Sequence, residues 1–237
     1  MKDVHLSVDV VWQEGVREDY IDAAEATLRT AVHHLGLSEM LPVERIGAWR
    51  SEEGCGINDL VVAAKADAIE AGLQPGQLLA SSVSPRLRDA PWRPQDWRGF
   101  SLLIVGDDYA CKGEEYVFGF ANAGLCATLS TYRYERDTRI SDPIAAFVAG
   151  VFHEFGHVVG APNGDRTEAI QDWLGAHCTN ACVMRQRDDL PEWETDIVKD
   201  LFGGKLYCDL CLRDIQIFLR ERLAPPRQWT GRLAKKV

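Results

Sequence analysis

The stretch from Ser141 to Gly160 constrains this chain more than any other. Ser141 or Asp142 is a suitable N-cap, and Pro143 stands at the first helical position, where its missing N–H costs nothing. The spacing then predicts a helix over Ile144 to Val159, with Gly160 where a left-handed C-terminal residue is wanted. That helix carries His153-Glu154-Phe155-Gly156-His157. Histidines four apart lie one above the other on one face, so both imidazoles reach a single metal ion. Glu154 borders the same face, beside the metal without binding it. Ile144, Phe147, Val148, Val151, Phe155 and Val158 bury the remaining surface. Zinc accepts imidazole nitrogen readily, and a site with three protein ligands leaves a position for water. Zinc-bound water that loses its proton to a carboxylate is the chemistry of peptide-bond hydrolysis.

The third ligand is less direct. Asn163 stands three residues after Gly160, and the next histidine is His177. Asp165 to Glu168 has the form of a capping box. Ala169, Ile170, Trp173 and Leu174 have helical spacing before Gly175, so the spacing predicts a short inserted helix that delivers His177. Asn163, Asp165 and Glu168 compete with His177 for the position.

The last third of the chain holds a second cluster. His177-Cys178 is followed by Cys182 and Met184, and Cys208-Asp-Leu-Cys211 follows later. Two close cysteine pairs have the spacing of a tetrahedral four-thiolate zinc. Such a site would clamp the third-ligand loop to a final helix, Leu212 to Leu223. Cys55, Cys111 and Cys126 have no partner spacing, and His5, His33 and His34 have more ordinary packing or helix-end roles.

These motifs resemble those of the archaemetzincins, a metzincin family marked by HExxHxxG, a His-Cys pair, Cys-x-Met and a distal Cys-x-x-Cys. The matching residues are His153, Glu154, His157, Gly160, His177, Cys178, Cys182, Met184, Cys208 and Cys211. The resemblance implies a catalytic zinc on the three histidines, Glu154 as general base and a second, structural zinc on the four cysteines. It also implies a Met-turn at Met184, beneath the catalytic metal. It covers residues 141 to 223 and describes a divergent member. His177 comes fourteen residues later than position 163, three residues separate Cys178 from Cys182 where four are expected, and the gap from Met184 to the distal pair is longer than usual.

Upstream, strands and helices alternate. Val4 to Trp12, Ile46 to Trp49, the apolar run Phe100 to Gly106, Glu115 to Asn122 and Cys126 to Tyr134 read as strands. Tyr20 to Leu37 and Asn58 to Ala71 read as helices, and Pro85 to Arg98 as a loop. The expectation is an α/β fold: a zincin/metzincin-like mixed β-sheet with an active-site helix and a C-terminal helix. Residues 1–237 are taken as one catalytic domain, with an N-terminal sheet-and-helix part over 1–140 and the zinc-binding part over 141–237. The resemblance also implies a cleft-lining strand that pairs with extended peptide, and Tyr116 to Ala121 is the candidate for it.

The formal charge of −10 argues against a nucleic-acid partner, because phosphate neutralisation needs clustered Lys and Arg, and the basic run Arg232 to Lys236 is short. No stretch is long and apolar enough for a bilayer, and the N-terminus lacks a secretory h-region, so the expected location is cytoplasmic. The expected function is a zinc-dependent metallopeptidase acting on peptide or protein. The alternative is a catalytically silent, zinc-stabilised binding or regulatory module, in which the inserted segment 161–176 covers the cleft. The sequence leaves substrate preference and oligomeric state open.

Overall fold

A computed structural model describes residues 6–50, 56–88, 99–187, 189–197 and 206–223. The central sheet has strands β1 (Val8–Trp12), β2 (Val43–Gly47), β4 (Phe100–Val105), β6 (Gly119–Asn122) and β7 (Cys126–Ser130), in the order β2-β1-β4-β7-β6. The first four in that order pair in parallel, and β6 closes one edge antiparallel to β7. Every residue of β4, Phe-Ser-Leu-Leu-Ile-Val, is buried. An unbroken apolar run is what a central strand covered on both faces requires.

Alternation divides the strand side chains between two layers. Val8, Val10, Phe100, Leu102, Ile104, Ala127 and Leu129 pack against α1 (Glu18–His34) and α5 (Pro143–Val158). Val11, Leu103, Val105 and Cys126 face α2 (Ile57–Glu70) and α3 (Ala80–Arg88). Tyr20 of α1 meets Phe147 of α5 edge to face, with ring centroids 4.9 Å apart. Two-residue strands β3 (Leu78–Leu79) and β5 (Tyr109–Ala110) pair beside this second layer. No helix among the described residues is long and apolar enough to cross a membrane.

Both ends of α5 are fixed. Asp142 Oδ1 accepts from the Ala145 N–H at 2.9 Å, and Glu194 accepts from the Ser141 and Asp142 N–H groups at 2.8 and 2.7 Å. Gly160, at φ +93°, ends the helix; a Cβ there would sit 2.4 Å from Phe218 Cγ. Hydrogen bonds from the Ser141 hydroxyl and then from these backbone groups hold the Glu194 carboxyl below the usual carboxylate range. A depressed folded-state value means stability that is present above about pH 4.3 and lost as pH falls through the lower folded value. Glu194→Gln is therefore expected to cost about 1 kcal/mol or less near neutrality, since the group faces solvent. In thermal melts across a pH series, the gap to wild type should narrow as pH falls below the ordinary glutamate range.

The sequence reading and the structure differ in several places. Only Gly119–Asn122 of the segment 115–122 joins the sheet; Val117 makes an isolated bridge to Tyr109. The strand expected over 126–134 stops at Ser130, and α4 (Tyr132–Arg136) follows and buries Tyr134. Pro85 lies inside α3 and not in a loop. The inserted segment forms an antiparallel hairpin, β8 (Ile170–Asp172) with β9 (Ala176–Cys178), where a short helix was expected. Ala169 and Leu174 hold positive φ, 48° and 55°, and that conformation breaks a helix at both places. A short α6 (Leu190–Glu192) runs into a π-helical turn, Trp193–Ile197, and the final helix α7 spans Asp209–Leu223. His5, Cys55, Trp92, Trp97 and the basic run 232–236 lie outside the described residues.

Candidate metal centres

Helix α5 presents His153 and His157 one turn apart, and β9 brings His177 against them. His157 Nε2 stands 3.1 Å from His153 Nε2 and 3.2 Å from His177 Nε2. Two of the opposite nitrogens are committed to the backbone. His153 Nδ1 donates to the Val183 carbonyl at 2.8 Å and His177 Nδ1 to the Gly175 carbonyl at 3.0 Å. Burial pushes all three imidazoles down, His153 well below the usual histidine range and His157 to about 3. The three ring nitrogens thus converge on one point, an arrangement suited to holding a cation. Nitrogens 2.0–2.1 Å from a tetrahedral zinc stand about 3.3–3.4 Å apart, close to what is observed. Carbonyls behind the ligating rings fix tautomer and orientation, as metal sites require.

Glu154, next on the helix, is 9% exposed. Burial pushes its carboxyl up to about 8, and a dication at the histidines acts in the opposite direction. The backbone of edge strand β6 passes directly over it: a Cβ at Gly119 would fall 2.7 Å from Glu154 Oε1. A glycine inside a strand signals such a close approach. The sequence reading gave Gly119 no such role. Trp193 lays its edge on His153, with ring centroids 4.9 Å apart.

The second set joins the loop after β9 to the start of α7. Cys178 Sγ is 3.7 Å from Cys208 Sγ, and Cys182 Sγ is 3.9 Å from Cys211 Sγ. Thiolates 2.3 Å from a tetrahedral zinc stand about 3.8 Å apart. Within each set the donor atoms all lie within 4.8 Å of one another. Met184 is fully buried beneath α5, where a Cβ at Gly156 would sit 2.2 Å from its sulfur, and its carbonyl accepts from the Cys178 N–H at 2.9 Å. Tyr207 Oη donates to the Phe152 carbonyl at 3.0 Å, tying the four-cysteine region to α5.

Among the described residues neither metal-donor set includes Asp165 or Glu168, and the Asn163 side-chain oxygen accepts instead from the Asp165 N–H. Cys111 and Cys126 belong to neither set. A cleft of 1020 Å³ opens on the three histidines; Tyr116, Gly119, Tyr134, Leu174 and Phe218 are among its walls. The inserted hairpin forms one side of this cleft and does not fill it.

No family model matches the chain. A curated archaemetzincin from Nanoarchaeum equitans (strain Kin4-M) is 32% identical over 139 residues, 59% of this chain and 60% of that protein. The aligned part thus spans about three fifths of the relative. The crystal structure of archaemetzincin from Methanopyrus kandleri superposes with a TM-score of 0.58, at 20% identity, over 93% of this chain and 98% of that one. A zinc-dependent peptidase from Methanocorpusculum labreanum (strain Z) gives 0.53, at 20% identity, over 88% and 99%. Archaemetzincin from Archaeoglobus fulgidus, complexed with malonate, gives 0.52 over the same shares. The architecture is the mixed α/β fold of these structures, its sheet laid against a helix that carries two imidazoles. Zinc suits both donor sets. The chain is thus similar in sequence to one archaemetzincin over part of its length and shares the fold of the solved archaemetzincin structures.

Proposed function

We propose that this chain is a zinc-dependent metallopeptidase, a divergent archaemetzincin whose substrates are peptides or proteins. His153, His157 and His177 would hold a catalytic zinc, and Cys178, Cys182, Cys208 and Cys211 a structural one. The observation that carries the reading is the convergence of three bare imidazole nitrogens beside a buried carboxylate at the floor of an open cleft. A zinc ion there supplies Lewis acidity to an attacking water and to the scissile carbonyl. Glu154 takes the proton of the attacking water on its carboxylate and returns it to the leaving amine. The β6 backbone over Glu154 confines that carboxylate to the side facing the histidines. Trp193 and the Val183 carbonyl keep the His153 ring in one orientation, and the Gly175 carbonyl does the same for His177.

Elemental analysis of wild type and His177→Ala, with hydrolysis of a quenched fluorogenic peptide library alongside, tests the proposal. Wild type should hold two zincs and cleave; the variant should hold about one and lose turnover. One zinc in both proteins, with no cleavage by either, would remove the peptidase reading in favour of a zinc-stabilised binding module.

A further inference from the structure

The inserted segment has its own anchor. Arg166 and Asp214 are each only 8% exposed in their side chains, and Arg166 NH1 donates to Asp214 Oδ2 at 2.9 Å. The same carboxylate oxygen accepts from the Asn163 N–H at 3.0 Å, so the start of the insertion is fastened to α7 at two points. Arg166 NH1 also reaches Cys211 Sγ at 3.5 Å. Its other arm, NH2, donates to the Ala169 carbonyl at 2.9 Å.

Ala169 is the strained residue at the entrance to β8, and its carbonyl also accepts from the Thr179 N–H at 3.0 Å. Between these two contacts runs the hairpin, in which Gln171 pairs with His177 and Ile170 with Cys178. One planar fork therefore touches the Cys211 sulfur on one side and the base of the His177 hairpin on the other.

We propose that Arg166 is a positioning residue that couples the two metal centres, holding the His177 hairpin in register with His153 and His157 by bridging the Cys211 sulfur and the Ala169 carbonyl. The inference rests on the reading of both donor sets as zinc sites. Four thiolates around a dication leave two net negative charges in a buried region, and a buried guanidinium beside them offsets part of that charge. Arginine suits the task because its rigid fork donates in two directions at once, which a lysine ammonium on a flexible stem does not.

The test uses cobalt-substituted full-length protein, in which thiolate-bound and imidazole-bound cobalt have separate absorption bands, titrated with a competing chelator. In Arg166→Met the histidine site should lose about 10–100-fold in metal affinity, the range typical of outer-shell partners, while the thiolate bands shift but persist. Arg166→Lys keeps the charge near the thiolates without the second arm. Its thiolate spectrum should match wild type while the histidine site weakens about tenfold. A general loss of packing would weaken both sites together and would overturn the coupling. So would wild-type affinity at the histidines in both variants. Should the methionine variant not fold, the lysine variant decides alone. A wild-type protein without imidazole-bound cobalt would bring down the zinc reading itself, a result distinct from unchanged variants of a two-metal protein.

Discussion

Glu154→Gln is expected to leave both metals in place and to lower kcat by about two to four orders of magnitude, the usual contribution of a positioned general base. The substitution keeps the shape of the side chain, so the approach of β6 at Gly119 and the packing of α5 are undisturbed. What changes is the capacity to accept a proton. The amide cannot take one, and the described cleft offers no equivalent carboxylate at the same depth; Glu114, Glu115 and Glu221 are more exposed residues among its walls. Zinc content and kcat on the same sample separate the outcomes. An undiminished rate would take the base role from Glu154, and loss of zinc with loss of rate would make it a structural support of the site.

Cys182→Ser should have the largest effect on stability. Cys182 is fully buried, and its set joins the loop after β9 to the first turn of α7. Structural zinc sites contribute about 10–16 kcal/mol in isolated peptides, as much as the whole net stability of a typical domain. Even a loss of about 5 kcal/mol lowers Tm by roughly 10–20 °C in a chain of this size. His177 immediately precedes Cys178 on β9, so the collapse should reach the histidine site and zinc should fall below one per chain. Calorimetry with metal analysis checks this. A Tm within a degree or two of wild type, with two zincs retained, would reduce the thiols to core fillers.

The parts of this structure that were legible in the sequence share one property: their signals are local. Helix α5 declares itself through Asp142, Pro143 and Gly160, and β4 through its unbroken apolar run. The clustering of His153 with His157 and of the paired cysteines is legible because each close spacing brings its side chains together locally. The hairpin at 170–178 was not legible. Asp165, Glu168, Ala169, Ile170, Trp173 and Leu174 carry a sound helical pattern, and what overrides it is tertiary: Arg166 anchored to Asp214, and non-glycine residues held at positive φ. Arg166 itself offers no sequence signal, because its partners lie up to 48 residues away. The stop of β7 at Ser130 is equally non-local: Ser130 donates to the Asp107 carbonyl and accepts from the Tyr132 N–H, turning the chain into α4.

The strands of the main sheet all lie between residues 8 and 130, whereas the seven metal donors lie between 153 and 211. On a ribosome working at roughly 5–20 residues per second, the whole sheet is made before the first donor, and about 3–12 s separate His153 from Cys211. Two imidazoles are made first, His177 next, and the last of the four thiols, on α7, after them. Chain direction thus completes the four-cysteine cluster, which fastens the hairpin, after the three-histidine cluster that the hairpin serves.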